Sequence, residues 1–256
     1  MAQDLAGGHS PDRDPQCERL AERITAYNAA GHPSCSIATK ATEHLGKLLR
    51  AGRVRSTWAF RAFDHDLPSW ADGVLIPHGI DDPVRHRGPI NLGLSHDTSQ
   101  LACDSFRWYW HRMGPRCSPE ATSILWRCDC GGSHAANQYL FKHAWPLLAG
   151  QIGVAIRVAH SPSSCSKDNV SERRLLPHIP RACQGRLFDT LDTVVAWMRK
   201  ASTRTGLRTT VHVMRRHDET GRKATEHMKP NLHIVFDNLL PQWNYRALPQ
   251  YASVIN

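Results

Sequence analysis

The chain has 256 residues, a mass of 28.8 kDa and a net charge of +9, with 41% apolar and 21% charged residues. That length and composition belong to a folded domain with a sizeable core and exclude a disordered chain. No run of about 18 apolar residues occurs, which excludes a transmembrane helix, and the polar stretch Met1 to Pro15 lacks the apolar segment of a secretory signal, so the chain is expected in the cytoplasm.

Ser10-Pro11-Asp12 predicts a helix start, with Leu20, Ile24 and Tyr27 on one face and Gly31-His32-Pro33 as the stop. Ser34 to Lys40 predicts a short strand. Residues 41–90 predict short strands with Pro/Gly turns, among them Val74-Leu75-Ile76. Ile90, Leu92 and Leu94 alternate, which predicts a half-buried strand. Asp97 or Thr98 caps a helix carrying Leu101, Ala102, Phe106, Tyr109 and Met113, ended by Gly114-Pro115. Ser123 to Trp126 predicts a strand leading to Asp129, and a helix is expected from about His134 to Leu148. Val154, Ile156 and Val158 alternate in a further strand ending at His160, with a helix beginning near Asp168. Leu187, Leu191, Val194, Val195 and Met198 form a helical stripe. Thr209 to Met214 and His233 to Phe236 read as strands. Strands and helices alternate over residues 90–175, which predicts parallel neighbours covered by helices.

The charge is localised. Between Arg173 and Lys229 there are 13 Lys/Arg against 5 Asp/Glu, which holds nearly all of the net surplus. A local basic surplus suits a polyanion, most often nucleic acid, or is a solvated face without a partner. The 8 cysteines are expected as thiols in a cytosolic chain. Cys128-Asp129-Cys130 is a C-x-C rather than a zinc-knuckle pair; a zinc module would have to add Cys165.

Two acidic residues stand in telling places. Asp129 follows a predicted strand and precedes Gly131-Gly132, where a backbone or phosphate can approach closely. Glu172 lies in an early helical turn, with Asn169 one turn before it and Lys167, Arg173 and Arg174 nearby. A strand-end Asp and a helix-borne Glu can converge on Mg²⁺, and the basic residues would suit DNA phosphates. Each has a plainer reading: an Asp before Gly-Gly as a turn residue, a first-turn Glu as a partner of the helix dipole.

Several signatures in order resemble the Rhodopirellula-type DDE transposases. Ser36-Ile37-Ala38-Thr39-Lys40 resembles the family's Ser-Val/Ile-Asp-Thr-Lys strand, and Phe63-Asp64-His65-Asp66-Leu67-Pro68 its His-Asp-Phe-Pro segment. Ser95-His96-Asp97-Thr98 resembles its His-Asp-Thr-Ala helix start, and Cys128-Asp129-Cys130-Gly131-Gly132-Ser133 its Ala-Asp-Gly-Gly-Gly-Ser. The stretch Ser161 to Arg174 is similar to Pro-Pro-Gly-Thr-Ser-Lys-Trp-Asn-x-Ile-Glu-His-Arg. Thr203-Arg204-Thr205-Gly206-Leu207 and Gln242-Trp243-Asn244-Tyr245 resemble the C-terminal signatures.

The resemblance implies an α/β, RNase H-like mixed sheet flanked by helices. It divides the chain into a lead-in and first helix over 1–33, a catalytic domain over 34–203 and a basic C-terminal extension over 204–256. It implies Mg²⁺- or Mn²⁺-dependent DNA strand cleavage and strand transfer, with Asp129 and Glu172 as catalytic metal ligands and Lys167, Asn169, Arg173 and Arg174 on DNA. DNA is the implied partner, at the nucleoid, with a full-length related transposase and self-assembly as further partners and no membrane. The family's first Asp falls at Ala38, which has no oxygen to offer, so the chain is expected to be inactive or impaired. Asp64 and Asp66 are substitutes off the equivalent strand. Asp168 and Ser171 replace apolar family residues and are expected to loosen the helix that aims Glu172. The family's N-terminal DNA-binding region is expected to be missing ahead of Ser10. The competing expectation is a non-catalytic DNA-binding remnant or regulator of a related transposase.

Overall fold

Alternating burial along two strands decides which helices go to which face of the sheet. In β1 (Ser34–Thr39) Cys35 and Ile37 join one apolar cluster and Ala38 joins another. In β5 (Ser123–Cys128) Ile124, Trp126 and Cys128 belong with Cys35 and Ile37, while Leu125 faces the opposite way. The computed structural model describes residues 11–53, 57, 59, 61–63, 68–129, 139–162, 170–216 and 233–249.

Those strands sit in one mixed sheet. The remaining strands are β2 (Glu43–Leu45), β3 (Gly73–Asp81), β4 (Arg87–Gly93), β6 (Ala155–His160), β7 (Arg208–Met214), β8 (Ile234–Phe236) and β9 (Asn244–Ala247). The order is β7-β4-β3-β1-β5-β6-β9-β8, with β2 on β3. β3 runs antiparallel to β1 and β4, and β5 and β6 continue parallel to β1. β7 is parallel to β4, and β9 is antiparallel to β6. The strands beyond residue 204 therefore extend the central sheet at both edges. This is the mixed, helix-flanked α/β sheet that the resemblance implies.

The helices are α1 (Arg13–Ala29), α2 (Ser99–Cys117), α3 (Tyr139–Ile152), α4 (Val170–Arg174), α5 (His178–Cys183) and α6 (Leu191–Met198). α2 and α3 cover one face, where Phe106 meets Trp126 edge-on at 4.2 Å and Phe141 meets Trp145 at 5.1 Å. Truncating any of these rings to Ala would cost about 3–5 kcal/mol. α4, α5 and α6 cover the other face around Ala38, Leu75, Ile90 and Leu92, and α1 covers Leu125 and Ala159. A Cβ at Gly79 would lie 2.8 Å from Leu175, and one at Gly88 2.7 Å from it. Glycine at these two points lets the segment after α4 lie directly on β3 and β4.

Two expectations change. α2 runs through Gly114-Pro115 to Cys117, with Ser118 N–H donating to the Gly114 carbonyl. Pro115 removes only one donor near an exposed helix end, where water can serve the carbonyl. The alternation over 90–175 predicted parallel neighbours, but β3 and β1 separate β4 from β5. β1, from earlier in the chain, takes the central place beside β5.

Candidate active site

The register of β1 and β5 sets the relative level of Ala38 and Asp129. Ser36 pairs with Arg127, so two residues further on Ala38 and Asp129 stand level on neighbouring strands. Strand alternation puts position 129, like Arg127, on the face of Ala38 and α4. Asp129 is half-buried, one residue past the end of β5. Ala38 is fully buried, opposite Gly79, over which Leu175 packs, and belongs to the same apolar cluster as Leu75 and Ile90.

α4 lies across β1 and β3. Its polar replacement does not loosen it: Ser171 is fully buried and its hydroxyl donates to the Ser36 carbonyl at 2.7 Å. The last residue of the helix, Arg174, places Nε 3.7 Å from Asp81 and Nη2 3.3 Å from His86 Nδ1. Glu172 is thus carried on a turn tied to the sheet at both ends. It is half-buried, and that burial pushes its carboxyl above the usual range. Arg173 is exposed. Lys167, Asn169, Cys130, Gly131, Gly132, Cys165, Asp168, Asp64 and Asp66 lie outside the described residues.

Among the described residues no cluster of three or more His, Cys, Asp or Glu side chains could hold a metal ion. Position 38 supplies a methyl group in an apolar pocket, so the described side chains do not complete a three-carboxylate cation site.

Residues that sequence reasoning passed over brace the end of β5. The buried His160 donates from Nδ1 to the Asp129 carbonyl at 3.1 Å, and the Tyr245 hydroxyl donates to its Nε2 at 3.4 Å. Gln16 of α1 donates to the His160 carbonyl at 2.7 Å. The C-terminal signature and the first helix therefore meet behind Asp129. Tyr245 was visible as part of a signature; His160 carried no signal beyond ending a strand. On the other side Asp81, fully buried opposite Ser36, accepts no hydrogen bond among the described residues.

These two groups give the fold opposing pH dependence. Burial depresses His160 from its ordinary 6.5 to about 4. Its stabilisation is complete above pH 6.5 and is lost as pH falls toward 4, because the unfolded chain takes up the proton first. Burial raises Asp81 from 3.8 to about 6, against the pull of Arg174 and Arg127. Its contribution is greatest below 3.8 and is lost as pH rises through 6. Between about pH 4 and 6 the two offset each other. Relative to the unaltered chain, urea midpoints of His160→Gln are expected to rise, and those of Asp81→Asn to fall, as pH is lowered through that window. Parallel profiles for all three chains would show that neither group titrates this way.

A family model described as "Rhodopirellula transposase DDE domain" matches residues 1–249. The curated proteins contain no match. Among solved structures, "Mos1 transposase paired-end complex with left transposon end" is 14% identical, covers 77% of this chain and 56% of its own, and has a TM-score of 0.49. "Crystal structure of the Mos1 mariner paired end complex with Mn" is 13% identical, with 77% and 57% coverage and a TM-score of 0.48. The chain thus spans under two thirds of the length of the solved chains it matches.

Proposed function

We propose, from the premise that this chain belongs to the Rhodopirellula transposase DDE-domain family, that it is a transposase catalytic domain which binds DNA but is impaired in cleaving it. The observation that carries the impairment is Ala38: level with Asp129, fully buried, and part of an apolar cluster. We assign Asp129 and Glu172 the role of acidic ligands. Lys167, Asn169, Arg173 and Arg174 are assigned to phosphate contact, Arg174 while also tied to Asp81.

With a carboxylate at position 38, Asp129 and Glu172 would help hold Mg²⁺ or Mn²⁺, which would supply activation of the attacking oxygen and stabilisation of the leaving one in phosphodiester cleavage. Here the described residues supply no third carboxylate. What the chain itself does is hold the Asp129 carbonyl through His160 and hold α4 through Ser171 and Arg174. DNA is the partner, with self-assembly or a full-length related transposase as further partners, and the working place is the nucleoid. The second reading, a binding-only regulator, is favoured by the same burial of Ala38.

The test is a nicking and strand-transfer assay of the purified chain in Mg²⁺ or Mn²⁺, beside a gel-shift titration. DNA retention without cleavage is expected. Robust strand transfer by the unaltered chain would overturn the impairment, and no DNA affinity at any salt concentration would overturn the reading as a whole.

A further inference from the structure

The edge strand β7 has β4 as its strand neighbour, with Ser202 bridged to Arg208 on its other side, and the parallel register of β4 and β7 sets Arg87 directly opposite Arg208. Alternation turns this pair toward α2. On β4, Asn91 donates to the Ser105 carbonyl of α2 at 3.2 Å. On β7, the His212 ring stacks on Trp108 of α2 at 4.6 Å and 11°. Arg112, one helical turn beyond Trp108, is exposed and acts on His212, whose pKa is lowered by burial and then by this charge. Arg216, beyond the other end of β7, reaches Asp104 at 3.5 Å, and Asp104 also holds Arg107. The α2–β7 surface therefore carries arginine at both ends, with Arg87, Arg112 and Arg208 at one and Arg107 and Arg216 at the other.

Its charge is not balanced from within. Asp82, across the hairpin from Arg87, is engaged by Arg85 at 3.1 Å and by the Tyr109 hydroxyl at 3.0 Å. Arg87, Arg112 and Arg208 make no ion pair among the described residues. Like charges set directly opposite each other cost stability. A cost of this kind in the free chain is offset when an anion lies between the cations.

We propose that the α2–β7 surface is a track for the DNA phosphate backbone, with Arg87, Arg112 and Arg208 as its phosphate contacts. β1, β4, β5, β6 and β7 run the same way, so the Arg216 end lies at the end of the sheet where Asp129 lies. Seven residues of β7 extend about 23 Å at ~3.3 Å each, the reach of about seven phosphates of one strand at ~3.4 Å spacing. The track rests on the reading that the chain binds DNA and gives that binding a surface on the face of the sheet opposite α4.

The experiment measures duplex affinity against salt for the full chain, for Arg87→Gln/Arg112→Gln/Arg208→Gln, and for a control triple on the opposite face, Arg181→Gln/Arg199→Gln/Lys200→Gln. The edge triple is expected to flatten the log–log salt slope by about two to three, and its Arg→Lys counterpart to keep the slope. The control is expected to leave it unchanged. The edge triple should also melt at or above the temperature of the unaltered chain, since it removes repulsion. A fall of more than about 4 °C would mark these arginines as structural and overturn the track. So would an unchanged slope in the edge triple, or an equal loss in the control. An unaltered chain without DNA affinity would overturn the proposed function and the track together, an outcome distinguishable from the others.

Discussion

Restoring the missing carboxylate, Ala38→Asp, is expected to turn a silent chain into one that nicks DNA in Mg²⁺ or Mn²⁺, and adding Glu172→Ala is expected to silence it again. The new carboxylate would stand level with Asp129 on the neighbouring strand, on the face that α4 covers. It would also be buried in an apolar cluster, opposite Gly79, over which Leu175 packs. Without a cation, Ala38→Asp should therefore fold less stably by about 3 kcal/mol, the penalty of a buried unpaired ion. A cation bound only by the folded form returns stability by mass action, about 2.7 kcal/mol at a hundredfold excess over its Kd. Mn²⁺ should accordingly raise the melting temperature of Ala38→Asp and leave the unaltered chain where it was. Silence of Ala38→Asp together with no melting response to Mn²⁺ would sink the assignment of Asp129 and Glu172 and leave the binding-only reading. Nicking by the unaltered chain would show that another group replaces the missing ligand, with Asp64 and Asp66 the next to alter.

Asp237→Ala is expected to cost about 3–5 kcal/mol, because it leaves a buried arginine without its partner. Asp237 lies between β8 and β9 and accepts from Arg157 Nη1 at 2.6 and 2.7 Å and from Arg23 Nη2 at 2.9 Å. Burial alone would push its carboxyl up; the hydrogen bonds and charge of Arg157, then Arg23, hold it below the usual range. The cluster joins α1, β6 and the turn into β9. Replacing both partners, Asp237→Leu with Arg157→Met, should restore part of the loss, since the buried arginine is then gone and only the partly exposed Arg23 loses its carboxylate. Urea unfolding of the two single variants and the double would measure the coupling; a loss below about 1 kcal/mol for Asp237→Ala would show that solvent rescues Arg157. β9 also carries Tyr245, so loosening this clamp should reach His160 and the Asp129 carbonyl behind it.

Much of the site was legible as motifs and little of it as geometry. The strand Ser34 to Lys40, the cap at Thr98 and the strand ending at His160 follow from local patterns and appear as β1, the N-cap of α2 and β6. Ser171 was misjudged because a polar residue at an apolar family position reads as a defect. Its partner, the Ser36 carbonyl, is 135 residues away. Asp81 and Arg127 gave no signal for the same reason: their neighbours are set by strand register, not by spacing along the chain.

The sequence by itself determined the family, through signatures whose order no local propensity produces. It also marked Ala38 as the position where the resemblance expects a carboxylate, and carried the local periodicity behind the strands and helices. Only the tertiary structure decided that β1 stands between β3 and β5, and that Asp129 is braced by a histidine and a tyrosine from distant segments. It alone decided that Arg87 and Arg208 face each other along one edge. The physical reason is that strand pairing and charge balance depend on which backbone lies alongside which, and that is set by burying two faces of one sheet at once.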